Sequence, residues 1–116
     1  MTITIYHNPR CSKSRQTLAL LEQHAITPKI IDYQKQPLSE GDIKQLVSLL
    51  ELDTARSMMR TKEEIYKQLA LNIEQSEDKL IAAMAEHPKL IERPIVVNGN
   101  KAAIGRPPEN ILPIIK

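Results

Sequence analysis

The chain has 116 residues, 41% of them hydrophobic, and a formal net charge of +2. That length suits one domain around a single core, here residues 1–116, and the near balance of interspersed charges speaks against nucleic-acid binding. One cysteine excludes an internal disulfide, no Cys/His cluster has zinc spacing, and no apolar run approaches the ~20 residues that span a bilayer.

The opening Met1 to Tyr6 is too short and lacks the basic flank of a signal peptide, so a soluble cytoplasmic protein is expected. Thr2 to Tyr6 alternates like a strand, with apolar Ile3 and Ile5, and Asn8-Pro9 stops it in a loop that carries Cys11. From Ser12 to about His24 there is no Pro or Gly, and Leu18, Leu21 and Ala25 recur at helical spacing. Pro28 opens a second β-rich run, Lys29 to Tyr33, completing a βαβ unit with parallel strands.

Ser39 with Asp42 predicts a capped helix start, followed by the apolar stripe Ile43, Leu46, Val47 and Leu50. Thr61 with Glu64 matches a capping box ahead of Ile65 and Leu69. Ser76 precedes a helix carrying Leu80, Ile81 and Met84 that His87-Pro88 ends. Short helices thus fill an insertion from about 39 to 87. Ile95-Val96-Val97 and Ala102-Ala103-Ile104 flank Asn98-Gly99-Asn100-Lys101, a strong β-hairpin signal. Pro107 and Pro108 suit the first turn of a closing helix with Ile111, Leu112 and Ile115 on its buried side. The fold class is α/β, a thioredoxin-like arrangement of βαβ, helical insertion, β-hairpin and C-terminal helix; a ferredoxin-like α+β order uses similar elements.

Cys11 stands at the start of the first helix, where the macrodipole and unpaired N–H groups favour a thiolate. Arg10, Lys13 and Arg15 add positive charge, which lowers a thiol pKa further. Ser12 and Ser14 offer hydroxyl donors to the sulfur or to a bound anion. His7, four residues earlier, is near enough to take part, although a lone histidine is more often a structural hydrogen-bond partner. A buried, inert cysteine is the alternative, but Cys11 lies in a polar, cationic run. A cationic helix N-terminus also binds anions, so an oxyanion or an anionic thiol such as glutathione is the expected substrate class. Cys-x-x-Ser has no resolving cysteine, so a redox cycle must finish through an external thiol. Arg60, Arg93 and Arg106 each stand beside structural punctuation, and the arginine fork matches the oxygens of a tetrahedral oxyanion.

The segment His7-Asn8-Pro9-Arg10-Cys11-Ser12-Lys13-Ser14-Arg15 resembles the active-site segment of the ArsC-type arsenate reductases, short members included. Glu92-Arg93-Pro94-Ile95-Val96-Val97 and Gly105-Arg106-Pro107 resemble two further signatures of that family, and Met58-Met59-Arg60 falls where it places its first oxyanion arginine. The resemblance implies the thioredoxin-like fold and a cis peptide before Pro94. It also implies a reaction in which Cys11 attacks arsenate while Arg60, Arg93 and Arg106 stabilise the oxyanion. Ser12, Ser14, Arg15 and His7 would support substrate binding. Glutathione would then add to the arsenic and glutaredoxin would reduce it to release arsenite, with no metal or flavin. Two other readings stay open. One is a monothiol glutathione-dependent oxidoreductase acting on another oxyanion or a mixed disulfide. The other is an RNA polymerase-binding regulator of the related Spx type, whose Cys-x-x-Cys switch Ser14 interrupts.

Overall fold

The computed structural model describes residues 2–115. Met1 of the opening segment and Lys116 at the end of the closing run lie outside them. The chain forms two compact units, Met1–Gln36 with Arg93–Lys116, and Pro37–Glu92. The expected insertion, 39–87, falls inside the second. Among the described residues no helix is long and apolar enough to cross a membrane.

The first unit is built on a four-stranded sheet of order β2-β1-β3-β4. β1 (Ile3–His7) and β2 (Lys29–Asp32) are parallel, joined through helix α1 (Ser12–Gln23), with His7 opposite Asp32 at their shared end. β3 (Ile95–Asn98) runs antiparallel to β1, pairing Ile95 with Tyr6, and β4 (Lys101–Ile104) returns alongside β3. Gly99, at φ 63°, takes the left-handed turn conformation that closes this hairpin. The βαβ start, antiparallel hairpin and closing helix give the expected thioredoxin-like arrangement. Alternation in β1 turns Ile3, Ile5 and His7 inward. Ile3 and Ile5 meet Leu21 of α1, Val96 of β3 and Ile111 in one core, with Leu18, Ile26 and Ile115 around it.

Two elements differ from their sequence reading. α1 buries Ser14, Thr17 and Leu21, a face rotated from Leu18, Leu21 and Ala25; its first half lies against the polar end of β1, where His7 is buried, and so carries polar residues inward. Ala25 lies past the helix end, exposed and at φ 59°, where Ile26 N–H donates to Leu21 C=O at 3.0 Å in a terminal turn. The closing helix is a 3-10 turn, Pro108–Ile111, followed by the short α5 (Leu112–Ile115). Ile111 is fully buried, whereas Leu112 and Ile115 are only partly so.

In the second unit α2 (Glu40–Leu49) begins at the expected capping box: Ser39 Oγ accepts from Asp42 N–H at 3.1 Å and Asp42 Oδ2 accepts from Ser39 N–H at 3.1 Å. α2 packs on a later helix (Glu77–Glu86) capped by Ser76, with Ile43 and Leu46 buried on one and Leu80, Ile81 and Met84 on the other. Thr61 caps nothing; α3 (Glu64–Gln68) starts after Glu63 without a side-chain cap, and the Glu77–Glu86 helix is α4. Met59 and Ile91 form an isolated antiparallel bridge that fixes the backbone before Arg60, whose N–H donates to Leu90 C=O at 2.7 Å.

Urea unfolding separates a cap from a core contact. Ser39→Ala is expected to cost about 1 kcal/mol, the usual value of a lost N-cap. Leu21→Ala empties a fully buried position and is expected to cost about 2–5 kcal/mol.

Candidate active site

The sheet registers bring three chain segments to one edge. β1 exits there toward Cys11. β3 is antiparallel to β1, so Arg93, two residues before its start, returns to that edge, and so does Arg106, two residues after β4. The pairing of Ile95 with Ile104 sets the two arginines side by side, and Arg106 Nε donates to Arg93 C=O at 3.0 Å. Gly105 makes this approach possible: a Cβ there would lie 2.5 Å from Thr17 Oγ1 and 2.9 Å from Pro94 Cγ. The peptide before Pro94 is cis, as the resemblance implies, and the peptide before Pro107 is cis as well.

The loop between β1 and α1 is held by its own backbone. Asn8 C=O accepts from Cys11 N–H at 3.0 Å, Asn8 Oδ1 accepts from Arg10 N–H at 3.0 Å, and Arg15 Nη1 donates to Pro9 C=O at 3.0 Å. These bonds leave Cys11 as the N-cap residue of α1, in extended conformation (φ −93°, ψ 125°) and half-buried. Arg106 Nη2 donates to its Sγ at 3.6 Å. Burial pushes the Cys11 thiol up, but the Ser14 N–H, the Arg93 guanidinium and the Lys13 N–H outweigh it, and the net effect lowers its pKa. The thiolate is therefore favoured by helix amides from one side and guanidinium groups from the other.

His7 and Ser14 form a buried pair under this loop. Ser14 Oγ lies 2.6 Å from His7 Nδ1 and accepts from Asn8 N–H at 3.0 Å. Burial lowers the His7 pKa against the opposing effect of Asp32, and Arg15 lowers it further, so the ring is neutral at neutral pH. The Ser14 hydroxyl thus ties α1 to β1, while its backbone N–H, with that of Lys13, favours the Cys11 thiolate.

Of the other candidates, Ser12 is exposed in the first turn of α1, and Arg15 spends a guanidinium donor on the loop. Arg60 belongs to the second unit, where its Nε lies 3.5 Å from Glu63 Oε2. The sequence reading did not single out Tyr33, directly after β2. The Arg93 guanidinium and Tyr33 act on each other's ionisation, and Cys11 acts on both. No local pattern marks such a residue; only its register beside β1 does.

A lowered thiol pKa has a direct readout in alkylation by iodoacetamide. The midpoint of the rate against pH is expected below that of a free cysteine, and Arg93→Ala is expected to move it upward, because the cation that favours the ionised form is gone. An unshifted midpoint in the variant contradicts the assignment.

The model of a family described as the ArsC family matches residues 6–114. The arsenate reductase of Haemophilus influenzae is 52% identical over 116 residues, covering 99% of this chain and 100% of the relative. Uncharacterized protein YfgD of Escherichia coli is 48% identical over 114 residues, covering 97% and 96%. The solved structure of an arsenate reductase from Vibrio cholerae matches with a TM-score of 0.96 and 56% identity over 98% of each chain. With its thioredoxin-like fold and a match that runs from β1 into α5, the chain belongs to the ArsC family.

Proposed function

We propose that this chain reduces arsenate to arsenite through Cys11, with glutathione and glutaredoxin supplying the electrons. The observation that carries the reading is the place of the Cys11 sulfur: it sits on the N-cap residue of α1, with Arg106 Nη2 at 3.6 Å and Arg93 close enough to favour its ionised form. A nucleophile and two guanidinium forks at one point suit a tetrahedral oxyanion, whose growing charge they stabilise as sulfur attacks. The names of the relatives from Haemophilus influenzae and Vibrio cholerae support the same substrate.

In the first step the Cys11 thiolate attacks arsenic(V), and one arsenate oxygen leaves as water after protonation. No electrons change hands. Glutathione then adds its thiol to the same arsenic, and a second oxygen leaves as water. A glutaredoxin thiolate attacks the glutathione sulfur, forming a mixed disulfide; the sulfur–arsenic electron pair stays on arsenic, which becomes arsenic(III). Water cleaves the remaining bond to Cys11, releasing arsenite and regenerating the thiol. The external thiols are required on this reading because Cys11 is the chain's one cysteine and Ser14 stands where a resolving partner would be. Arg60 enters as the third oxyanion arginine that the resemblance implies.

The test is arsenate-dependent NADPH oxidation with glutathione, glutaredoxin and glutathione reductase supplied. Cys11→Ser is expected to abolish turnover, and Arg93→Ala, Arg106→Ala and Arg60→Ala each to lower kcat/KM by about 10²–10³, the usual effect of removing an oxyanion donor. Retained reduction of a glutathione mixed disulfide alongside lost arsenate turnover assigns the arginines to the oxyanion. No arsenate turnover by the native protein with active glutaredoxin sinks the substrate and favours the monothiol oxidoreductase instead.

A further inference from the structure

Tyr33 is 1% exposed, and although its phenol lies close enough to the Arg93 guanidinium and to Gln34 to feel both, no partner meets its hydroxyl in hydrogen-bond geometry. Buried polar groups are nearly always paired, so an orphaned hydroxyl calls for a cause. The side chain is not loosely placed. Asp32 holds the turn around it, with Oδ1 accepting from Gln34 N–H at 3.0 Å and its carbonyl accepting from Lys35 N–H at 3.0 Å and Gln36 N–H at 2.8 Å. Tyr33 is one residue past the pairing of His7 with Asp32, at the edge of the sheet where β1 leads to Cys11 and where Arg93 enters β3.

A second orphan accompanies it. Arg93 Nε is buried and also lacks a hydrogen-bond partner. One O–H and one N–H donor, buried and unpaired at the same edge as a nucleophilic sulfur, leave a pair of donors in want of an acceptor. Oxygen of a tetrahedral anion supplies it.

We propose that Tyr33 is a substrate-binding residue whose hydroxyl, together with Arg93 Nε, donates to an oxygen of the oxyanion that Cys11 attacks. The inference rests on the oxyanion reading above and adds to it a neutral donor that no arginine signature marks. Burial raises the Tyr33 pKa despite the opposing Arg93 cation, so the phenol keeps its proton and remains a donor across the neutral range. A donor of this kind orients the anion without adding charge, leaving to the arginines the charge that develops in the transition state.

The test compares native protein with Tyr33→Phe, using inorganic sulfate as a non-reacting tetrahedral anion that shields Cys11 from iodoacetamide. The sulfate concentration giving half protection is expected to rise about tenfold in Tyr33→Phe, the loss of one hydrogen bond to a charged group. Without sulfate, the alkylation pH profile is expected to match the native one and Tm to be equal or higher, because the hydroxyl removed had no partner. Unchanged sulfate protection overturns the inference. So does a shifted pH profile in the anion-free variant, or a variant that does not fold, since either means the hydroxyl is already engaged within the protein. Native protein shielded by neither sulfate nor arsenate overturns the oxyanion reading itself, an outcome distinct from equal protection of both proteins, which removes only Tyr33.

Discussion

The site depends on one junction, the four residues that carry the chain from β1 to α1. Asn8 turns the chain with its carbonyl on Cys11 N–H and its side chain on Arg10 N–H, and this turn makes Cys11, rather than a neighbour, the cap of the helix. A sulfur at a cap faces unpaired amides, so the backbone alone favours the thiolate before any side chain acts. The hairpin then adds charge. Because β3 and β4 are antiparallel neighbours, the residues before one and after the other share an edge, and Arg93 and Arg106 stand together there with Arg106 bonded to the Arg93 carbonyl.

The polar groups that hold this junction are buried under it. His7 belongs to the inward face of β1, the face of Ile3 and Ile5, and would be an apolar position if α1 met the strand with leucines throughout. Instead Ser14 and Thr17 take the inner positions of the first turns: Ser14 joins His7 and Asn8, and Thr17 Oγ1 donates to Lys13 C=O at 2.8 Å and packs against Gly105. Leu21 resumes the apolar core about three turns from the cysteine. The helix is therefore amphipathic in two senses, polar inward near the sulfur and apolar inward near its end, and the loop of Arg106 rests on the polar half.

What the sequence made legible follows from how local each signal is. The Asn98-Gly99 hairpin, the Ser39 capping box and the placement of Cys11 at a helix start are written in residues two to four apart, and all three appear in the structure. The Thr61 cap had the same local pattern and failed, because the helix begins only at Glu64. Leu18 and Leu21 reach the core as their spacing suggests, but Ser14 and Thr17 were not marked as inward residues, because hydrophobic periodicity looks for apolar side chains and the neighbour here is His7. Tyr33 was invisible for a stricter reason. A tyrosine ending a strand reads as ordinary β propensity, and its position across β1 from the segment of Arg93 is a matter of register between strands far apart in sequence.

The proposed chemistry stands or falls on a bond between the Cys11 sulfur and the arsenic of arsenate. Arsenic K-edge absorption of the protein incubated with arsenate, beside Cys11→Ser treated identically, reads that bond directly. A sulfur neighbour on arsenic in the native protein and an all-oxygen shell in the variant is the predicted result; an all-oxygen shell in both, with Cys11 shown to be reduced, would contradict it.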